Sequence, residues 1–397
     1  MWFANFFIAS SMTMILPFIS LYIESLGNFT ESYVQTWSGL IFGVTFVTAF
    51  IFSPIWGKIG DKYGRKNILI ISATGLGLSV LLMGFATSIF QLFMLRFFMG
   101  IFTGFIPMSQ AFISTQTPKK TAGKVLGTLQ TASVTGTLMG PLFGGVIADN
   151  IGYGATFQLV SISIFLSAFI VKFGIKELQL KISDVKDRRS YSSKEVIQHI
   201  IGHPVLLIVM LTSTLVQVAH FSIQPILSLY VIEINGPENI AFYSGLTFSV
   251  AGLGSLFLAR YWGKLGDKYG HTKILISLLL LAGIAYFPGA FVTNIYQLIF
   301  LRFILGIAIG GIVPTRIAYI RLEAPLSMQG EVLGYNTSLR FLGNMIGPAL
   351  GGLLAASYGM ASIFFVTSSL LIMTGILMLI TWVKHESEDG SFAFFKH

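Results

Sequence analysis

Trp56–Gly64 reads WGKIGDKYG, and Trp262–Gly270 reads WGKLGDKYG, 206 residues further on. The same offset relates Ser38-Gly39-Leu40 to Ser244-Gly245-Leu246, and QLFMLRF (Gln91–Phe97) to QLIFLRF (Gln297–Phe303). The spacing then slips by one residue, and GPLFGG (Gly140–Gly145) answers GPALGG (Gly347–Gly352). The chain of 397 residues is therefore a tandem duplication of two apolar halves. In a membrane protein, parallel repeats imply two bundles that rock about a site between them.

Composition places those halves in a bilayer. The chain is 54% hydrophobic and 10% charged, with mean hydropathy +0.78. A water-soluble surface needs about 25% charged residues. There is no Cys, which excludes disulfides, thiolate metal sites and Cys nucleophiles. Runs of about 20 apolar residues predict twelve spans, near 1–23, 34–57, 67–88, 90–114, 123–148 and 154–174, then 204–232, 241–262, 273–293, 295–320, 330–356 and 360–383. The chain enters span 1 almost at once, which leaves room for a short leader ahead of it. Residues 1–23 read as a span rather than a cleaved signal, because no basic segment precedes them and Pro17 matches Pro225. The expected fold is an all-α membrane protein of twelve transmembrane helices in two parallel six-helix repeats. Its units are an N-terminal bundle at 1–174, a linker at 175–203, a C-terminal bundle at 204–383 and a tail at 384–397.

Charge sets the expected orientation. With the N-terminus in the cytoplasm, Lys58, Lys62, Arg65, Lys66, Lys119, Lys120, Lys124, Lys264, Lys268 and Lys273 lie inside. So do the seven cations from Lys172 to Lys194. The outer connections carry no Lys or Arg, only Glu31, Asp149 and Glu238, with Glu24 and Glu233 at helix ends. This bias predicts a multi-pass protein of the cytoplasmic membrane with both termini cytoplasmic. It also assigns the net charge of +9 to topology rather than to nucleic acid. The mixed-charge stretch KELQLKISDVKDRRSYSSKE between the halves reads as a linker lying partly on the membrane surface.

Two motifs carry more than topology. In the first loop, Gly57 and Gly64 permit a tight turn, and Asp61 is placed to accept from a helix start and to pair with Arg65 or Lys66. Such a latch would close the cytoplasmic ends in one conformation and free them in another. Asp267 repeats Asp61, although orientation alone needs no aspartate; Arg65-Lys66 becomes His271-Thr272 in the second copy. Span 5 carries Gly127, Gly136, Gly140, Pro141, Gly144 and Gly145, and span 11 repeats them as Gly334, Gly343, Gly347, Pro348, Gly351 and Gly352. Glycines every fourth residue make one smooth stripe for close helix packing, and each proline removes a helix hydrogen bond.

On these residues the chain resembles the major facilitator superfamily over nearly its whole length. It is most similar to drug:proton antiporters of the pneumococcal multidrug-resistance type in Gram-positive bacteria, through stretches such as SPIWGKIGDKYGRK and LGTLQTASVTGTLMGP. The resemblance implies that the span 5 pattern is an antiporter motif lying between the halves and associated with export. It also makes Leu92-x3-Arg96-x3-Gly100 a motif whose arginine takes part in proton transfer. Spans 1, 4, 7 and 10 would line the cavity.

Ionisable groups inside a span are functional candidates by default. They are Arg96, its counterpart Arg302, and the unmatched Arg316 and Arg340; Arg316 is expected to snorkel toward Glu323 as readily as to serve the cargo. No carboxylate falls at the centre of a span. The proton-coupling candidates are Arg96 with an outer-end acid, Glu24, Asp149 or Glu233, and the buried imidazole of His220. The cavity candidates are Gln110, Gln217, Gln224, Tyr230, Arg316, Tyr319 and Arg340, with Asn5, Tyr22, Met12, Met14 and Met108 beside them. The expected activity is proton-coupled efflux of amphipathic compounds by a monomer, among membrane lipids, with the proton gradient as its energy source and no cofactor or metal. The alternative is an exporter or flippase of an anionic metabolite or lipid-linked substrate, gripped by Arg316 and Arg340. No HExxH, GxSxG or Walker loop is present, so an enzyme is not expected.

Overall fold

In the computed structural model the described residues are 1–117, 119–177, 193–325 and 328–388, and they contain helices and turns but no strand. Twelve helical stretches among them are long and apolar enough to cross a membrane. They are Trp2–Ser25, Glu31–Gly57, Arg65–Met83, Ile89–Gln116, Lys124–Ile151 and Tyr153–Gly174, then Pro204–Asn235, Ile240–Ala259, His271–Phe291, Ile295–Glu323, Glu331–Tyr358 and Ala361–His385. These are spans 1 to 12. The loops carrying the repeated motif define a basic side; the connection between spans 1 and 2 lies on the far side. Linker residues 178–192 and tail residues 389–397 are outside the described residues.

The prolines act where the repeat predicts. Pro17 and Pro225 each turn a short 3₁₀ segment, Leu16–Phe18 and Gln224–Ile226, within spans 1 and 7. Span 4 breaks between Ile101 and Phe105, whereas span 10 runs unbroken through Pro314. Backbone carbonyls in a bilayer need internal partners, and the two halves supply them alike. Trp56 donates to the Ile101 carbonyl at 2.6 Å, and Trp262 to that of Ile307 at 2.9 Å. Tyr22 donates to Met83 at 2.8 Å, and Tyr230 to Gly289 at 2.7 Å.

The glycine stripe packs inside each half. A Cβ at Gly136, Gly140 or Gly144 would meet span 1 backbone at Phe6, Ser10 and Met14. Gly343, Gly347 and Gly351 stand in the same way against Thr214, Val218 and Ser222 of span 7. The expectation that the pattern lies between the halves holds only in part: the stripe glycines pack within their own half, and only the last glycine and the proline of each pattern reach across. Gly145 abuts Ala241 and Phe242 of span 8, and Gly352 abuts Gln35 and Gly39 of span 2. The prolines present their carbonyls to the facing glycines, Pro141 to Gly245 and Pro348 to Gly39. Gly127 and Gly334, nearer the basic side, have nothing within 4 Å and belong to neither contact.

This division has a measurable consequence. Gly144→Ala and Gly351→Ala should lower the thermal midpoint of the protein in detergent, through overpacking worth about 1–3 kcal/mol. Gly127→Ala and Gly334→Ala should leave it unchanged or raise it slightly, since alanine favours helix by up to about 1 kcal/mol. Equal effects at all four positions would contradict the packing.

Candidate functional site

The two bundles meet along spans 2 and 11 and along spans 5 and 8. The contacts that close this seam lie toward the far side, and one of them is electrostatic. The helix Ile240–Tyr269 starts at Asn239, a left-handed residue with φ 49° that offers no side-chain cap. Asp149, at the end of span 5 in the other bundle, supplies it: its carboxylate accepts from Ala241 N at 3.2 Å and Phe242 N at 2.8 Å. These are the second and third amides of the helix, the pair that a capping side chain serves, and the helix dipole favours an anion there. At the corresponding corner, Ser32 of span 2 donates to the Ala356 carbonyl of span 11 at 3.3 Å. Pro17 and Ser228 join spans 1 and 7 by a further hydrogen bond.

Below this seal lies a cavity of about 270 Å³. Met12 and Leu16 of span 1, Phe42 and Phe46 of span 2, Met99 of span 4, Phe221 of span 7 and Phe341 of span 11 give it an apolar wall. Phe221 crosses from the second bundle and packs edge-on to Phe46 at 5.3 Å between centroids. The charged group in the wall is Arg96. Arg96 is 3% exposed; its Nη1 touches Met99 Sδ at 3.9 Å, and its Nε and Nη2 have no hydrogen-bond partner.

The expected pairing of Arg96 with an outer acid is absent. Glu24, Asp149 and Glu233 are all exposed on the far side, and Asp149 is engaged with the span 8 amides. His220 holds its Nε2 2.9 Å from Gln224 Nε2, while its Nδ1 is buried without a partner. Arg302 is 3% exposed and spends its Nε on the Thr247 carbonyl at 3.4 Å. Arg316 does not snorkel toward Glu323. It is 0% exposed, and none of its three guanidinium nitrogens has a partner.

Several cavity candidates are bound within their own bundle. Gln217 donates to Asn344 at 2.7 Å, Tyr230 is committed to Gly289, and Gln110 donates to Gln130 at 3.0 Å. Asn5 accepts from Ser109 at 2.7 Å, and Gln224 serves His220. Tyr319 is partly exposed on the same helix as Arg316. Met108 lines a second, smaller pocket with Trp56, Gly57 and Arg65. The wall phenylalanines were not singled out in the sequence, because a phenylalanine in an apolar span reads like any core residue.

The first loop is anchored inside the first bundle. Arg65 donates to the Ala111 carbonyl of span 4, and Lys66 Nζ to the Ile175 carbonyl at 2.6 Å. Gly64, at φ 94°, offers no cap to the helix it precedes. Glu177, past the end of span 6, accepts from the amides of Arg65 at 2.9 Å and Lys66 at 3.1 Å. The Asp61 side chain is outside the described part, and Asp267 pairs with His271 at 3.5 Å. Glu177 was hidden in the linker's mixed charge. Glu177→Ala should speed amide hydrogen exchange at Arg65 and Lys66 about fivefold, for a lost cap of about 1 kcal/mol. Unchanged exchange would contradict the capping.

The family model of the Major Facilitator Superfamily matches residues 1–261 and 241–396. The chain is 52% identical over 393 residues to the Bacillus subtilis "Uncharacterized MFS-type transporter YuxJ", covering 99% of each chain. It is 38% identical over 376 residues to "Multidrug resistance protein MdtG" of Salmonella typhi, covering 94% of this chain and 92% of that one. Among solved structures, it superposes on a bacterial homolog of the human lysosomal transporter Spinster in an inward-facing and occupied conformation. There the TM-score is 0.79 at 15% identity, covering 96% of this chain and 95% of the other. A D-xylose-proton symporter gives a TM-score of 0.76 at 14% identity, covering 95% of each.

Proposed function

Because the chain belongs to the Major Facilitator Superfamily, we propose that it exports amphipathic compounds across the cytoplasmic membrane by alternating access, in exchange for protons. The observation that carries the reading is the apolar, phenylalanine- and methionine-walled cavity beneath the far-side seal. Flat rings stack on its aromatic faces without a fixed hydrogen-bond pattern, and Met12 and Met99 adjust to different shapes. The similarity to proteins named for multidrug resistance supports the same substrate class.

In this reading the basic side faces the cytoplasm, since short loops rich in Lys and Arg tend to stay inside. The state described is then shut to the outside, and cargo enters from the cytoplasm or the inner leaflet. Export requires the seal at Asp149 and the glycine crossings to part while the basic ends close. A proton exchanged in this cycle must be reachable from the cytoplasm in this state. Glu24, Asp149 and Glu233 are not so placed; in this reading Asp149 clasps the seal and does not carry the proton. Of the remaining candidates, His220 carries an imidazole that can bind and release a proton, and its neighbour Phe221 lines the cavity.

In proteoliposomes with an imposed pH gradient, the protein should move members of a panel of positive, neutral and negative amphipathic dyes. Dissipating the pH gradient should reduce that movement at least tenfold. His220→Gln should remove the pH dependence while leaving downhill dye movement. Dye movement that ignores the gradient would contradict proton exchange, and failure to move any dye would contradict the broad substrate class.

A further inference from the structure

We propose that Arg316 and Arg340 form an oxyanion-binding site in the second bundle. The cargo is then an amphipath whose head is a carboxylate, phosphate or sulfonate. This deepens the exporter reading and rests on it for the direction of transport, not for the chemistry of the site.

A guanidinium stays charged in a protein, and burying it without a partner costs several kcal/mol. Structural arginines escape that cost by donating to carbonyls or carboxylates. Arg316 does neither: it is wholly buried, and its Nε, Nη1 and Nη2 are all unpartnered. Arg340, on the next span, also has a buried Nε that lacks a partner. Among the described residues, no carboxylate lies within ion-pair distance of either. A wholly buried guanidinium with three idle donors has a physical reason to persist when an anion joins it.

The fold does not require this pair. The duplicated positions in the first half hold Gln110 and Ser133, both uncharged. Gln110 meets its needs with a single neutral hydrogen bond to Gln130. The depth suits cargo taken from the basic side: Arg316 lies about 10 Å from the helix end at Glu323, and Arg340 about 14 Å from the span end at Glu331, at 1.5 Å per residue. Arg340 keeps part of its surface exposed, on a span that opens to the basic side. Arg96 adds a further unpaired positive charge to the cavity wall. A cationic amphipath would be repelled by these guanidinium groups, while an anion would satisfy donors that have no partner. Planar guanidinium forks suit the geometry of carboxylates and phosphates.

The test uses the full chain in an uncharged maltoside detergent, with three ligands sharing one tail: decyl phosphate, decanol and decyltrimethylammonium. Binding is read by quenching of intrinsic tryptophan fluorescence. Decyl phosphate should bind at least about tenfold more tightly than decyltrimethylammonium, a difference of about 1.4 kcal/mol. Arg316→Gln and Arg340→Gln should each weaken decyl phosphate about tenfold or more and leave decanol unchanged, with the Lys variants intermediate. Equal binding of the two charged ligands by the wild type would overturn the site, whatever the variants do. So would undiminished phosphate binding in both Gln variants. In nanodiscs, displacement of decyl phosphate by phosphatidylglycerol would identify the anion as a lipid headgroup. Retention would identify it as dissolved cargo, and either result keeps the site. Binding in micelles involves no gradient, so its failure would leave the exporter reading standing, and a failure of proton exchange would leave the anion site standing.

Discussion

Everything in this molecule depends on how closely four helices approach at the far side. Spans 5 and 8, and spans 2 and 11, touch backbone to backbone, because each crossing sets a glycine against a proline carbonyl, Gly245 on Pro141 and Gly39 on Pro348. Side chains there would hold the bundles apart, and the cavity below would have no roof. The trans cap of Asp149 on the span 8 helix adds a polar clasp to one crossing and not to the other. Its contribution of about 0.5–2 kcal/mol suits a seal that has to open. A buried ion pair, costly to break, would suit a permanent joint.

The second constraint is the distribution of charge. Polar groups within each bundle are paired there, often in the same way in both halves, as with Tyr22 and Tyr230 or Trp56 and Trp262. Buried atoms without a partner include several hydroxyls and His220 Nδ1, and the charged ones among them are arginines. Arg96, Arg302, Arg316 and Arg340 all keep buried nitrogens without partners, and no described carboxylate in the membrane core answers them. Under the anion-site proposal these charges would attract an anionic cargo, whereas a central carboxylate would attract a cationic one. For an anion leaving a negatively charged cell interior, the membrane potential assists by about 2.3 kcal/mol per 100 mV.

Much of the fold was legible because hydropathy, repetition and glycine spacing report directly on helices that must satisfy their own backbone in lipid. All twelve spans follow from that requirement. The site was less legible because its residues are ordinary in type. Phe42, Phe46, Phe221 and Phe341 differ from core phenylalanines only in what faces them, and span register decides that. Gln217 and Tyr230 looked like cavity donors because their partners, Asn344 and Gly289, are brought near only by the tertiary fold. Periodicity identified the glycine stripe correctly but could not say which helix it met. Asp149 read as a proton-coupling partner for Arg96 because its actual partners are backbone amides, which leave no mark in a sequence.

The central claim, that the far side is held shut by close crossings and the Asp149 cap, is open to one direct measurement. The chain has no native cysteine, so spin labels can be placed at Asn28→Cys and Glu238→Cys, exposed far-side positions in opposite bundles. Electron–electron distance distributions in nanodiscs should show one short population for the otherwise unaltered protein. Adding Asp149→Ala should move a substantial fraction to longer distances, since about 1 kcal/mol shifts a two-state balance roughly fivefold. A distribution unchanged by Asp149→Ala would contradict the account.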